Sequence, residues 1–205
     1  MNVKTLRRTV AVALTVISAT VAFAQPLPLP EPQNIETRAG LPSDLILNDD
    51  FENGLNNWSL KNPTKDKVKC GNVGHLSDCA MLLKGSAGEN SRLQQSYKVN
   101  GDVTDGSQYI AMVAHVKPGK AGLNAKFMVK VKFNDGASPM KAAYTYVSTQ
   151  QQAENNGYSS LDFTTNYFNP ATVKKVVVQI DHKSTSGKLF VDGLYVGAYG
   201  AMADK

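Results

Sequence analysis

Tyr109, His115, Lys130, Tyr144, Tyr146 and Gln179 are the residues whose types and spacing best suit ligand binding. Rings, an imidazole, an amide and a cation together match a molecule with hydroxyl edges and apolar faces. Tyr109 and His115 occupy one parity of an alternating stretch whose other parity is Ile110, Met112, Ala114 and Val116. Lys130 lies on the polar parity of the next stretch, with Lys126 and Lys132, and Gln179 lies with Asp181 on that of a later one. Tyr144 and Tyr146 share one side of their stretch with Ala142. With these strands as neighbours, Tyr109, His115, Lys130 and Gln179 project onto one concave surface, above buried Met112, Val129 and Val178. The plainer reading is a solvated β face whose lysines guard against edge-to-edge pairing.

Catalysis has weaker support. His75, His115 and His182 have no neighbouring Ser, Cys or Asp arrangement resembling a nucleophile elbow or a metal triad. Glycoside hydrolysis needs carboxylates facing each other across a cleft, whereas the acids here gather at strand ends or in loops, as Asp102 and Asp105 do. No Gly-rich phosphate loop is present. The residues point to a binding protein rather than an enzyme.

The elements that position these residues read as strands. Phe127, Val129, Val131 and Phe133 alternate with Lys126, Met128, Lys130 and Lys132, Val176, Val178 and Ile180 repeat the pattern, and Leu189 to Val196 is a further β-rich run. Pro118-Gly119, Asn134-Asp135-Gly136, Asn155-Asn156-Gly157 and Ser186-Gly187 supply turns. No dozen-residue window carries a helical stripe. Nine or ten short strands so spaced predict an all-β fold, an antiparallel two-sheet sandwich of the jelly-roll kind.

With 42% hydrophobic and 19% charged positions among 205 residues, the chain is neither disordered by composition nor a membrane bundle. Residues 1–24 read as a signal peptide, with Lys4, Arg7 and Arg8 before an apolar run from Val10 to Phe23 and small residues at Ala22 and Ala24. The run is shorter than the ~20 residues of a spanning helix, so the expectation is a secreted or periplasmic protein with no membrane span once processed. Three of the positive charges lie in those 24 residues, which hold no acid, so the formal net charge falls from +5 to +2. That is too small to imply nucleic acid. Residues 25–43 hold Pro26, Pro28, Pro30, Pro32 and Pro42 and read as an extended tether. Residues 44–197 form the sandwich and 198–205 a C-terminal tail. Cys70 and Cys79, the only cysteines, are expected to form a disulfide in an exported protein. A metal reading with His75 lacks a fourth ligand.

The stretch Asn48-Asp49-Asp50-Phe51-Glu52-Asn53-Gly54-Leu55-Asn56-Asn57-Trp58 resembles the opening strand of carbohydrate-binding modules with a galactose-binding-like sandwich, the kind appended to xylanases and endoglucanases. Ala80 to Leu83, Tyr109 to Lys117 and Gly187 to Val196 resemble its later strands in order. The resemblance spans roughly residues 45 to 197 and implies a core role for Trp58. It also implies a structural Ca2+ tying the first strand to the last through Glu52 and Asp192, with the carbonyl of Asp50. Gly193 stands where the family often has a second acid, and Trp58 is the only tryptophan, so a binding platform must come from other side chains. The function expected is a non-catalytic module that recognises a polysaccharide or cell-surface glycan. A structural sandwich holding another exported protein is the alternative, and a small glycan hydrolase or lyase the third. Fold is better supported than function, since this sandwich hosts many roles.

Overall fold

The computed structural model describes residues 40–100, 106–149 and 157–200. The expected signal peptide, most of the tether, Asp102, Asp105, Asn155, Asn156 and residues 201–205 lie outside these. Ten strands are described: β1 Ser59–Lys61, β2 Lys67–Lys69, β3 Ala80–Lys84, β4 Arg92–Lys98, β5 Gln108–Pro118, β6 Asn124–Phe133, β7 Met140–Val147, β8 Ser159–Thr164, β9 Val173–His182 and β10 Lys188–Gly200. They form two antiparallel five-stranded sheets. One, here the lysine sheet, has the order β1-β4-β9-β6-β7, and the other, the tyrosine sheet, has the order β2-β3-β10-β5-β8. The all-β two-sheet sandwich expected from the alternation is the fold observed.

Pleating assigns the faces. Leu93, Phe127, Val129, Val131, Val176, Val178 and Ile180 point from the lysine sheet into the core, and meet Met81, Leu83, Ile110, Met112, Val116, Leu189 and Val191 from the tyrosine sheet. Met112 and Val129 are fully buried and Val178 nearly so, as the alternation requires. Burying one such side chain stabilises the fold by roughly 1.5–3 kcal/mol, so the inward rows fix the register of both sheets. Turns occur where Pro118-Gly119, Asn134-Asp135-Gly136 and Ser186-Gly187 were expected, with Gly136 and Gly187 at φ 83° and 94°.

The stretch expected to be the opening strand is instead a self-bonded loop. Asn48, Phe51 and Asn57 have positive φ, which breaks strand geometry. The Asn48 amide donates to the carbonyls of Gly54 and Asn56, its Oδ1 accepts from Asn53 N–H, and its own carbonyl accepts from the Trp58 indole. Trp58 is nonetheless in the core, with its ring centroid 5.5 Å from that of Phe51. Before this loop, Leu41, Leu45 and Ile46 already pack into the core, while Leu45 N–H and the Pro42 carbonyl bond to Val196 and Ala198 of β10.

Candidate functional site

β5 and β6 follow each other in sequence but lie in different sheets, so the expected single surface is two. Tyr109 and His115 project from the tyrosine sheet, whereas Lys130 and Gln179 project from the lysine sheet. This corrects the reading that put all four on neighbouring strands. Alternation gives the face of each strand and carries no information about which sheet the strand joins. Tyr144 and Tyr146 pair with Phe127 and Ala125, whose side chains point inward, so both tyrosines face the core side of their edge strand. Tyr146 is buried in the core and unavailable to a ligand, while Tyr144 is 42% exposed at the margin.

On the outer face of the lysine sheet a polar chain crosses three strands. Arg92 Nε donates to Asp181 Oδ1 at 2.7 Å, Gln179 Nε2 donates to the same oxygen at 2.8 Å, and Lys130 Nζ donates to Gln179 Oε1 at 2.8 Å. Burial pushes the Asp181 carboxyl up, but the Arg92 and Gln179 hydrogen bonds outweigh it and hold the group below the ordinary carboxylate range. Lys130 is held below the usual lysine range by burial first and then by the Arg92 charge. Further along the face, Lys98 of β4, Lys175 of β9 and Lys132 of β6 stand abreast in register. Together with Lys174, Phe133 and Pro139 they line a cleft of about 600 Å³. Among the described residues none of these lysines is in an ion pair. Like charges directly opposite one another destabilise a sheet, so the row carries an electrostatic cost. The sequence reading named Lys175 only as part of the polar parity of its strand and missed Lys98, which falls on the polar parity of β4.

The outer face of the tyrosine sheet is divided. At one end the Cys70–Cys79 loop, closed by the expected disulfide, lies over β10 and β5. His75 stacks on His115, the Tyr158 hydroxyl donates to the Val73 carbonyl at 2.5 Å, and Gly193 holds φ 53° against the His115 ring. His115 is therefore a docking surface for the loop. With both sulfurs bonded to each other, thiolate ligation of a metal with His75 falls away. At the other end Tyr109 stacks on Tyr199 at 5.5 Å and meets the edge of Tyr167 at 5.3 Å. The Tyr199 hydroxyl donates to Tyr195 Oη at 2.8 Å, and Tyr195 donates to the Ser43 carbonyl. That first bond, with some burial, pushes the Tyr195 phenol up to about 12. Of this exposed patch the sequence reading found only Tyr109, although Tyr195 and Tyr199 share a parity.

The three expected calcium ligands serve as loop anchors. Asp50 Oδ1 accepts from Glu52 N–H, Glu52 Oε1 accepts from Cys79 N–H at 2.7 Å, and Asp192 Oδ2 accepts from His75 N–H at 2.6 Å and from the Ser77 hydroxyl at 2.9 Å. Burial raises the Asp192 carboxyl despite these bonds. Its Oδ1 is buried with no hydrogen-bond partner, which fits an oxygen turned toward a cation. Asp50 and Glu52 do not join it in a tight set of side-chain ligands, so most of any coordination there has to come from backbone carbonyls.

No family model matches the sequence, and no curated protein matches it. Solved structures share its fold. TmCBM61, solved in complex with β-1,4-galactotriose, superposes with a TM-score of 0.51 at 13% identity over 77% of this chain and 99% of that one. The xylan-binding CBM22-1 domain of Paenibacillus barcinonensis Xyn10C gives 0.50 at 15% identity over 80% and 99%. The enzymatically active domain of bacteriophage CBA120 tailspike protein 4 gives 0.56 at 12% identity over 77% of this chain and 22% of that one. The two-sheet antiparallel sandwich is thus a fold that this chain shares with carbohydrate-binding modules.

Proposed function

We propose that the chain is an exported, non-catalytic glycan-binding module whose ligand is an anionic polysaccharide held on the outer face of the lysine sheet. One observation carries the reading: Lys98, Lys175 and Lys132 stand abreast across three strands beside a cleft, with no ion-pair partner among the described residues. Uronate or sulfate groups repeating along a polymer supply the missing negative charge, while the Arg92–Asp181–Gln179–Lys130 chain offers fixed donors to hydroxyls. Sugar hydrolysis needs two carboxylates in facing positions. Asp181, the acid in this polar chain, is engaged by Arg92 and Gln179, which supports binding without turnover. Export rests on the basic and apolar pattern of residues 1–24. We also propose a structural Ca2+ at Asp192 Oδ1, with Glu52 and the Asp50 carbonyl as the further ligands that the family resemblance implies.

The exposed tyrosine patch favours a second reading, in which a neutral glycan stacks on Tyr109, Tyr167 and Tyr199. Affinity electrophoresis separates the two. Retardation by polygalacturonate, alginate or a sulfated glycan that disappears in 0.5 M salt supports the lysine face. Retardation by neutral galactan or xylan that survives salt and is lost in Tyr199→Ala moves the site to the tyrosine patch. No retardation by any polysaccharide returns the chain to the structural, partner-binding alternative.

A further inference from the structure

Asp66, Glu89 and His182 are far apart in sequence and belong to different strand connections. Asp66 precedes β2 of the tyrosine sheet, Glu89 lies in the turn leading into β4 of the lysine sheet, and His182 ends β9 of that same sheet. The fold brings the three together at one end of the sandwich, with their ligand atoms all within 4.8 Å of one another. His182, which the sequence shows with no nearby Ser, Cys or Asp arrangement resembling a metal triad, thus has two carboxylates beside it. Its partners come from segments that only tertiary packing brings close.

All three side chains are almost wholly buried. The two carboxylates are oriented by neutral donors. Asp66 accepts from Lys84 N–H and the Ser91 hydroxyl, and Glu89 from Ser91 N–H at 2.9 Å and the Ser86 hydroxyl at 3.1 Å. Although burial pushes the Glu89 carboxyl up, these bonds overcome it and keep the group below the ordinary carboxylate range. Two carboxylates out of reach of water demand positive charge. His182 is the nearest candidate, yet neither of its ring nitrogens makes a hydrogen bond. Nδ1 faces Asp66 Oδ2 at 3.4 Å and Glu89 Oε1 at 4.0 Å.

Those separations are long for hydrogen bonds and suit ligands around a shared ion. In a tetrahedral site with bonds of about 2.0–2.1 Å, two ligand atoms lie roughly 3.3–3.4 Å apart. The Asp66 contact already has that spacing, the Glu89 contact has to close by about 0.6–0.7 Å, and the two carboxylates, which lie within 4.8 Å of each other, by at most about 1.5 Å. An imidazole nitrogen with two carboxylates suits a first-row dication such as zinc better than calcium, which takes oxygen ligands at longer distances. The hydroxyl and amide donors on the carboxylates are the outer contacts that orient ligands in such sites.

We infer that Asp66, Glu89 and His182 form a structural zinc-class site that clips one end of the tyrosine sheet to the lysine sheet. A water completes the coordination.

The full chain, stripped with chelator and titrated with Zn2+ alone in calorimetry, should take up one ion per chain with a dissociation constant at or below the micromolar range. Zn2+ should also raise the melting temperature, and Co2+ in its place should give the intense visible absorption of a four-coordinate ion. His182→Gln should weaken Zn2+ binding at least tenfold and remove that absorption. Should this variant lose its native dichroism spectrum, Glu89→Gln gives the same comparison with the imidazole intact. Absence of zinc uptake overturns the inference, as does uptake that persists in both variants or is abolished by His75→Gln instead.

Discussion

The imidazoles of His75 and His115 lie face to face, with centroids 3.8 Å apart and planes 12° from parallel. One ring belongs to the disulfide loop and the other to the outer face of β5. The contact therefore fixes how the loop covers the sheet, together with the bond from His75 N–H to Asp192. His115→Ala is expected to destabilise the protein by about 1–2 kcal/mol through lost stacking and packing, leaving polysaccharide retention unchanged. Denaturant unfolding and affinity electrophoresis of the same sample check both halves. Lost retention at native stability would return His115 to the ligand site.

The Cys70–Cys79 bond closes a short ring under that contact. The loop-entropy model assigns it about 2.5–3 kcal/mol. A Cys70→Ser, Cys79→Ser double variant should lose roughly that much in urea unfolding, with a slope equal or slightly steeper because the denatured chain is no longer crosslinked. An unshifted midpoint would mean that the docking contacts of Val73, His75 and Ser77 hold the loop without it.

Asp192 gives the calcium proposal a direct measurement. Its Oδ1 is buried without a partner, so a bound cation should stabilise the folded state alone. Millimolar Ca2+ is expected to raise the melting temperature of chelator-treated protein, and the rise should vanish in Asp192→Asn. A transition indifferent to Ca2+ in the parent protein rules the site out.

Arg92 and Asp181 set an acid limit on stability. The carboxyl of Asp181 is held below its unfolded value, so its contribution is fully present above the unfolded pKa, about 3.9, and is lost as pH falls through the lower folded value. Arg92→Ala should cost about 1–2 kcal/mol at pH 7, discounted because the arginine is partly exposed. The variant should also show a shallower loss of stability in acid. Parallel stability curves from pH 2 to pH 7 would show that Arg92 does not set the Asp181 carboxyl.

The fold was legible because alternation is local: Phe127 to Val131 and Val176 to Ile180 announce their inward faces without reference to the rest of the chain. What alternation does not encode is which strands share a sheet. That choice depends on β9 inserting between β4 and β6, and it separated Tyr109 from Lys130. The same limit hid the Lys98–Lys175–Lys132 row and the Asp66–Glu89–His182 cluster, whose members meet only across long sequence separations. Asn48 to Trp58 failed differently. Its family-like residue order was legible, but the positive φ of Asn48, Phe51 and Asn57 was not.

Lys175 should couple ligand binding to stability with opposite signs. It sits between Lys98 and Lys132, and like charges directly across a sheet cost roughly 0.2–1 kcal/mol per pair. Lys175→Gln relieves two such pairs while keeping a long polar stem, so the free protein should become more stable by a few tenths to about 1 kcal/mol. The same change removes the central cation of the row, so retention on an anionic polysaccharide should weaken, and its dependence on salt should become shallower. Thermal unfolding at low ionic strength, where surface repulsion is least screened, gives the first quantity. Electrophoresis across a salt series gives the second. A variant that is less stable and equally well retained would make the row an ordinary solvated surface and shift the search for a ligand to Tyr109 and Tyr199.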